Sequence, residues 1–152
     1  MNVEFIKASE YDAEEFVKVQ NKAFYLDFKK YGACPGYGRT PVSMIASIKQ
    51  YYHTYKIVVD GKIIGKVSAN EKEKGKCHLG CLCIIPEYEN KGIGKKAVKF
   101  IESKFKDATE WTLETPKDKV KNHHFYKSLG YEIIGEMTEE KGVHLSIFYK
   151  KV

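Results

Sequence analysis

Arginine is almost missing from this chain. Of its 26 basic residues only Arg39 is an arginine. Readers of DNA and RNA bases rely on arginine for bidentate contacts, so the composition argues against a nucleic-acid partner even though the formal charge is +6. The four cysteines, Cys34, Cys77, Cys81 and Cys83, form no C-x-x-C pair, which removes the usual spacing of a zinc site. Three of them fall in one expected strand and read as small core residues of a protein in reducing cytoplasm. No apolar run approaches a membrane span, and Met1-Asn2-Val3-Glu4 does not read as a signal peptide, so no membrane partner is expected. Repeats, linkers and low-complexity segments are absent too. So are two well-known phosphate loops: there is no P-loop spacing, and the third glycine of a dinucleotide fingerprint falls on Ala97.

What is present is a chain of 152 residues with 43% apolar and 30% charged content. That composition predicts a soluble, folded protein, and the length predicts one domain over residues 1–152. A net positive charge without arginine is compatible with a small polyanionic cofactor.

The patterning gives an order of elements. Asn2–Lys7 reads as a strand. Ser9 caps a helix whose face is Ala13, Phe16, Val17, Gln20 and Phe24. Tyr31–Arg39, with Gly32, Pro35, Gly36 and Gly38, is a loop. Thr40-Pro41 opens a second helix with Met44, Ile45, Ile48, Tyr51 and Tyr52 on its buried face. Lys56–Val59 and Lys62–Ala69 flank Asp60-Gly61, a hairpin signal, and Lys76–Ile85 is a third strand. A helix follows to about Asp107, then a strand at Thr109–Glu114, a helix at Lys117–Leu129 stopped by Gly130, and strands at Tyr131–Gly135 and Val143–Tyr149. The fold class expected is α+β, with a mixed, mostly antiparallel sheet and about four helices.

The stretch from Ile84 to Ile101 organises the rest. An apolar strand ends at Pro86, a polar turn follows, and Gly92-Ile93-Gly94 opens a helix whose buried face is Ile93, Ala97, Phe100, Ile101 and Phe105. Glycines at a strand-to-helix junction leave N–H groups uncovered at a helix N-terminus, which is an anion site. Lys91, Lys95 and Lys96 add positive charge.

The chain resembles the GNAT family, the Gcn5-related N-acetyltransferases, over nearly its whole length in element order. Two motifs carry the resemblance. The first is the family's acyl-CoA loop, in which Arg or Gln is followed after two residues by Gly, any residue, and Gly or Ala. It reads here Glu89-Asn90-Lys91-Gly92-Ile93-Gly94 after Pro86-Glu87-Tyr88. The second is Phe125-Tyr126-Lys127-Ser128-Leu129-Gly130-Tyr131. Two positions depart from the family pattern. Glu89 replaces the Arg or Gln beside the pyrophosphate. Lys119 stands where the family often has Asn, seven residues before the tyrosine, while Asn122 stands four before it.

The resemblance implies an enzyme that moves an acetyl group directly from acetyl-CoA to a primary amine of a small molecule or a protein. It implies that Glu89, Asn90, Lys91, Gly92, Ile93, Gly94 and Lys95 hold the pyrophosphate. It implies also that Leu82, Cys83 and Ile84 pair with the pantetheine arm like an added strand, with the Leu82 amide facing the thioester oxygen and a bulge nearby to free it. Asn122 is a further candidate contact to that arm. Tyr126 is the candidate acid for the departing thiolate, since a phenol titrating near ~10 can protonate a thiolate near ~8.5. Its ordinary role would be a half-buried aromatic on an amphipathic helix.

His78 is the candidate base. In several family members this strand position, eleven residues before the loop's first, carries Glu or His. Cys77, Leu79, Cys81, Cys83 and Ile85 alternate onto one apolar face, so His78 points the other way, toward the site or toward water. Glu114 is the reserve, and otherwise a surface carboxylate. His123 and His124 are adjacent on a helix and cannot share a face, so neither reads as a metal ligand. By the same resemblance the acceptor is chosen by the first two helices and the last hairpin, where Tyr25, Tyr31, Cys34, Tyr37, Tyr51, Tyr52 and Tyr55 are dense. Family members are often homodimers. The competing expectation is a non-catalytic acyl-CoA sensor.

Overall fold

The computed structural model describes residues 1–152. Its strands are β1 (Val3–Lys7), β2 (His53–Val59), β3 (Lys62–Glu73), β4 (Lys76–Ile84), β5 (Glu110–Pro116), β6 (Glu132–Thr138) and β7 (His144–Lys151). Its helices are α1 (Ala13–Tyr31), α2 (Pro41–Gln50), α3 (Ile93–Ser103) and α4 (Val120–Ser128), with short 3-10 turns at Glu10–Asp12 and Pro86–Tyr88. The strand order is β1-β2-β3-β4-β5-β7-β6. β4 runs parallel to β5 over Lys76–His78 and Glu110–Thr112, and β1–β2, β2–β3, β5–β7 and β6–β7 are antiparallel. This is the mixed, mostly antiparallel α+β architecture expected. No helix is long and apolar enough to cross a membrane.

The chain divides into two compact units. One holds Met1–Asn70 and Gly80–Lys104. The Asp60-Gly61 hairpin is there, both residues at positive φ, which matches the right-handed twist of the flanking strands. In α2, Pro41 occupies the first turn, the Thr40 side chain accepts from Ser43 N at 3.1 Å, and Ser43 Oγ accepts from Thr40 N at 3.2 Å. Phe16 and Met44 are fully buried against Ala8, Ala13 and Ile48. α3 buries Ile93, Ala97, Val98 and Ile101. At roughly 1.5–3 kcal/mol for each large aliphatic side chain, that stripe fixes the helix and the turn that leads into it.

The other unit holds Glu71–Leu79 and Phe105–Val152. Its core is Trp111, Leu113, Tyr126, Leu129, Tyr131 and Phe148. Phe105 meets Trp111 edge-on, with ring centroids 5.2 Å apart.

Several boundaries differ from the sequence expectation for physical reasons. α4 starts at Val120, not Lys117, because β5 pairs with β7 out to Pro116 and the Lys117 N–H donates to His144 O at 2.9 Å. α3 ends at Ser103, where the Lys104 N–H turns back to Ile101 O. α2 ends at Gln50, so Tyr52 leaves its buried face; it is 71% exposed, with Lys7 Nζ 4.2 Å from its ring centroid. Register shifts occur at Ile57/Val58 and Ile133/Gly135. In β4, Cys77, Leu79, Cys83 and Ile85 are buried, but Cys81 and Leu82 are both half-buried, so the alternation lapses at Cys81–Leu82.

Candidate functional site

The glycine loop leaves β4 in a defined way. Ile85 N donates to Ile64 O at 2.9 Å, Tyr88 N to Ile85 O at 3.0 Å, and Glu89 N to Pro86 O at 3.2 Å. Asn90 and Gly92 then take left-handed φ values of 60° and 80°. Asparagine and glycine are the residues that adopt this conformation at least cost. Gly92 is the N-cap of α3, and its carbonyl accepts the Lys96 N–H at 3.2 Å. No side chain caps this end. The first-turn N–H groups of Ile93, Gly94 and Lys95 therefore point out of the helix without an intrahelical acceptor. A Cβ added at Gly92 would meet no atom within 4 Å, so the space beside the N-cap is open. Lys91, Lys95 and Glu89 are exposed around it. Open donors, a helix dipole and flanking lysines attract an anion.

In the second unit, His78 pairs with Thr112 across the parallel ladder, and Glu114 lies two residues further along β5 on the same face. The sequence treated His78 and Glu114 as alternatives; the structure joins them. His78 Nε2 is 3.0 Å from both Oε1 and Oε2 of Glu114. The two side chains are only 15% and 28% exposed. Burial pushes the Glu114 carboxyl up, but the His78 hydrogen bond and the charges of His78 and Lys72 outweigh it and hold the carboxyl below its usual range. A neutral His78 that donates through Nε2–H to the carboxylate keeps its Nδ1 lone pair for a proton. His78 does turn away from the Cys77 side, where Cys77 and Leu79 are buried.

Tyr126 is buried, 8% exposed, on α4. Its ring meets Phe125 and Tyr131 edge-on at 4.9 and 5.9 Å and Phe148 at 5.7 Å. Asn122 Nδ2 donates to the buried Thr115 Oγ1 at 2.9 Å. His123 contacts Pro116 O and meets Phe148 edge-on, while His124 is exposed, as adjacent helix positions require.

The aromatic residues expected near the acceptor do not form one wall. Tyr25 and Tyr37 line a cleft of about 390 Å³ with Asn21, Lys22, Pro86 and Glu87. Tyr52 and Tyr55 gather around Lys7 instead.

Sequence reasoning passed over one further cluster. Lys66 is 3% exposed, and its Nζ donates to Gln20 Oε1 at 2.6 Å and contacts Met44 Sδ at 3.6 Å. The signal was a lysine inside the apolar run Ile63-Ile64-Gly65-Lys66-Val67 of a strand buried on both faces. On the neighbouring strand β4, the Cys83 thiol holds the Cys81 thiol down to about 6 against the effect of burial, with help from the charges of Lys66 and Arg39.

Known proteins share this arrangement of elements. Ard1 from Thermoplasma volcanium superposes with a TM-score of 0.81 at 13% identity, over 100% of this chain and 99% of that one. YncA from Salmonella typhimurium, a putative acetyltransferase solved with its cofactor acetyl-CoA, gives 0.79 at 12% identity, over 99% and 94%. In sequence, the uncharacterised protein YrkN of Bacillus subtilis (strain 168) is 28% identical over 135 residues, 84% of this chain and 71% of that protein. The profile of the acetyltransferase (GNAT) family matches residues 10–131, from the start of the first helical turn through the Leu129-Gly130-Tyr131 motif. This chain belongs to the acetyltransferase (GNAT) family.

Proposed function

We propose that this chain is a single-domain, cytoplasmic N-acetyltransferase that moves an acetyl group from acetyl-CoA directly to a primary amine of a small molecule or protein. The observation that carries the reading is the uncapped N-terminus of α3. Asn90 and Gly92 are left-handed, a Cβ at Gly92 would meet nothing within 4 Å, and no side chain caps the first N–H groups of α3, a fit for a pyrophosphate. The acetyl-CoA bound to YncA, which shares the fold, supports the same ligand.

Acetyl-CoA, when bound, supplies the acetyl group as an activated thioester. We assign its pyrophosphate to the loop amides with Asn90, Lys91 and Lys95 at the rim, and Glu89 as the negative member of that rim. The ladder with β5 ends at His78. Leu82, Cys83 and Ile84 follow it on β4, and their backbone groups are assigned to the pantetheine arm, with the Leu82 N–H as oxyanion donor. Asn122, bonded to Thr115, is the candidate side chain for the same arm. His78 takes the proton of the acceptor ammonium at Nδ1 while Glu114 holds Nε2–H and stabilises the imidazolium that forms. Tyr126 holds at its phenol oxygen the proton that the leaving sulfur requires.

Calorimetric titration with acetyl-CoA, with ATP and NAD as controls, tests the ligand. Release of free CoA across an amine panel tests the reaction. Selective binding followed by turnover that is lost in Tyr126→Phe supports the enzyme. Binding without turnover on any amine would make the chain an acyl-CoA sensor, and no binding would remove the reading.

A further inference from the structure

The cleft of about 390 Å³ lies wholly within the first unit, lined by α1, by Tyr37 of the loop between α1 and α2, and by the turn at Pro86–Tyr88. Its volume is in the range of small-molecule sites, roughly 300–1,000 Å³. Two kinds of chemistry meet there. Tyr25 and Tyr37 make an aromatic wall, with ring centroids 6.2 Å apart and planes tilted by 44°. Lys22 and Glu87 are opposite charges on the same lining, and neither is engaged in an ion pair.

The wall is held from behind by buried groups. Tyr37 sits between two backbone groups that consecutive residues of α1 engage: Gln20 Nε2 donates to Gly36 O at 2.9 Å, and Asn21 Oδ1 accepts the Gly38 N–H at 2.8 Å. Gln20 is buried, and its Oε1 accepts from Lys66 Nζ at 2.6 Å. The buried ammonium therefore sets which way the amide faces, with Oε1 toward Lys66 and Nε2 toward Gly36. A Cβ at Gly36 would lie 2.5 Å from ring carbons of Phe24, so glycine is what lets the loop come this close to α1. Phe28 stacks on Tyr37 with centroids 4.4 Å apart. Tyr37 is thus fixed before a ligand arrives, and a pre-organised ring binds without the cost of ordering it.

We infer that this cleft binds a small zwitterion with an aromatic ring, an aromatic α-amino acid, and that Tyr37, positioned by Asn21 and by Lys66 through Gln20, selects the ring. A ring in the cleft packs on Tyr25 and on the part of Tyr37 that Phe28 leaves open. The ligand ammonium meets the Glu87 carboxylate, and its carboxylate meets the Lys22 ammonium. Lys29 Nζ, 5.6 Å from the Tyr25 centroid, adds positive charge at the same wall. A ligand with one charge gains one partner and is repelled by the other, so the lining discriminates against simple amines and simple acids alike. A zwitterion without a ring leaves the aromatic wall wet.

The test titrates the whole protein at neutral pH with L-phenylalanine, with phenethylamine and 3-phenylpropanoate, which each lack one charge, and with L-alanine, which lacks the ring. L-phenylalanine should bind saturably, and each of the other three about threefold or more weakly. Glu87→Gln should weaken L-phenylalanine and phenethylamine but not 3-phenylpropanoate, and Lys22→Gln should show the opposite pattern. Tyr37→Ala, its fold checked by circular dichroism, should weaken L-phenylalanine about three- to tenfold and leave L-alanine unchanged. Asn21→Ala should weaken L-phenylalanine in the parent and add nothing in Tyr37→Ala, because it acts only through that ring. Lys66→Met, where it folds, should follow Asn21→Ala. No saturable binding of L-phenylalanine at millimolar concentration, equal binding of the single-charge analogues, or parental affinity in folded Tyr37→Ala would overturn the inference. Acetyl-CoA titration of the same preparation reads the acetyl-transfer proposal separately.

Discussion

Glu114 grips His78 with both carboxylate oxygens, each 3.0 Å from the same ring nitrogen, Nε2. The arrangement orients the ring and commits one nitrogen, so a second nitrogen is left for chemistry. If Nδ1 is the base of the reaction, His78→Ala should lower turnover by about 10²-fold. The loss should be greatest at low pH, where the acceptor amine is least often neutral. A variant whose pH–rate profile keeps the shape of the parent would remove His78 from the mechanism.

The same pair makes stability depend on acidity. The folded Glu114 carboxyl titrates below its ordinary value. Its ionised form is thus favoured in the folded state. That contribution is complete above the unfolded carboxyl value of about 4.3, and it disappears as pH falls through the lower folded value. With both side chains partly solvated, it is worth about 0.5–1 kcal/mol. Glu114→Gln should therefore be less stable than the parent by that amount at pH 6, and the difference should shrink toward zero below pH 4. Chemical denaturation at pH 6 and pH 3 measures it; a constant difference would mean that the carboxylate charge is not what stabilises the pair.

The elements of this fold were legible because hydrophobic period and turn chemistry are local. The burial of Cys77, Leu79, Cys83 and Ile85 on one face of β4, the Thr40-Pro41 cap and the Asp60-Gly61 turn each act within a few residues, and each is where the sequence puts it. Ends set by partners were not legible: α4 begins late because β5 remains paired with β7 as far as Pro116. Side-chain pairings across strands were also hidden. Nothing in the spacing says that Glu114 reaches His78, since this depends on the parallel register of β4 and β5. Lys66 looked like one lysine among many; only packing against α1 and α2 makes it a buried charge.

Tyr126 separates a structural from a chemical role. Its ring packs on Phe125, Tyr131 and Phe148, and phenylalanine keeps that packing. Tyr126→Phe should therefore change stability by no more than about 1.5 kcal/mol, the net worth of one hydrogen bond. Loss of a proton donor to the leaving sulfur should lower kcat by about 10²-fold, with little change in acetyl-CoA affinity. Thermal melts, calorimetry and steady-state rates on one preparation measure all three. A full-rate variant would leave Tyr126 as a core aromatic.

Gly92 offers the sharpest test of the loop. At φ 80° any other residue is strained, by about 1–2 kcal/mol, but a Cβ there meets nothing within 4 Å. Gly92→Ala should cost that stability and weaken acetyl-CoA binding only modestly. Gly92→Asp carries similar strain, yet its carboxylate sits at the uncapped end of α3, where a negative charge and a capping oxygen return about 1 kcal/mol. It should melt near the parent and bind no acetyl-CoA, because the same donors that cap the helix are those the pyrophosphate needs. Aspartate would then stabilise the helix and disable the site by one contact. A folded Gly92→Asp with parental affinity would mean that the phosphates are held elsewhere, and the anion site at α3 would lose its function.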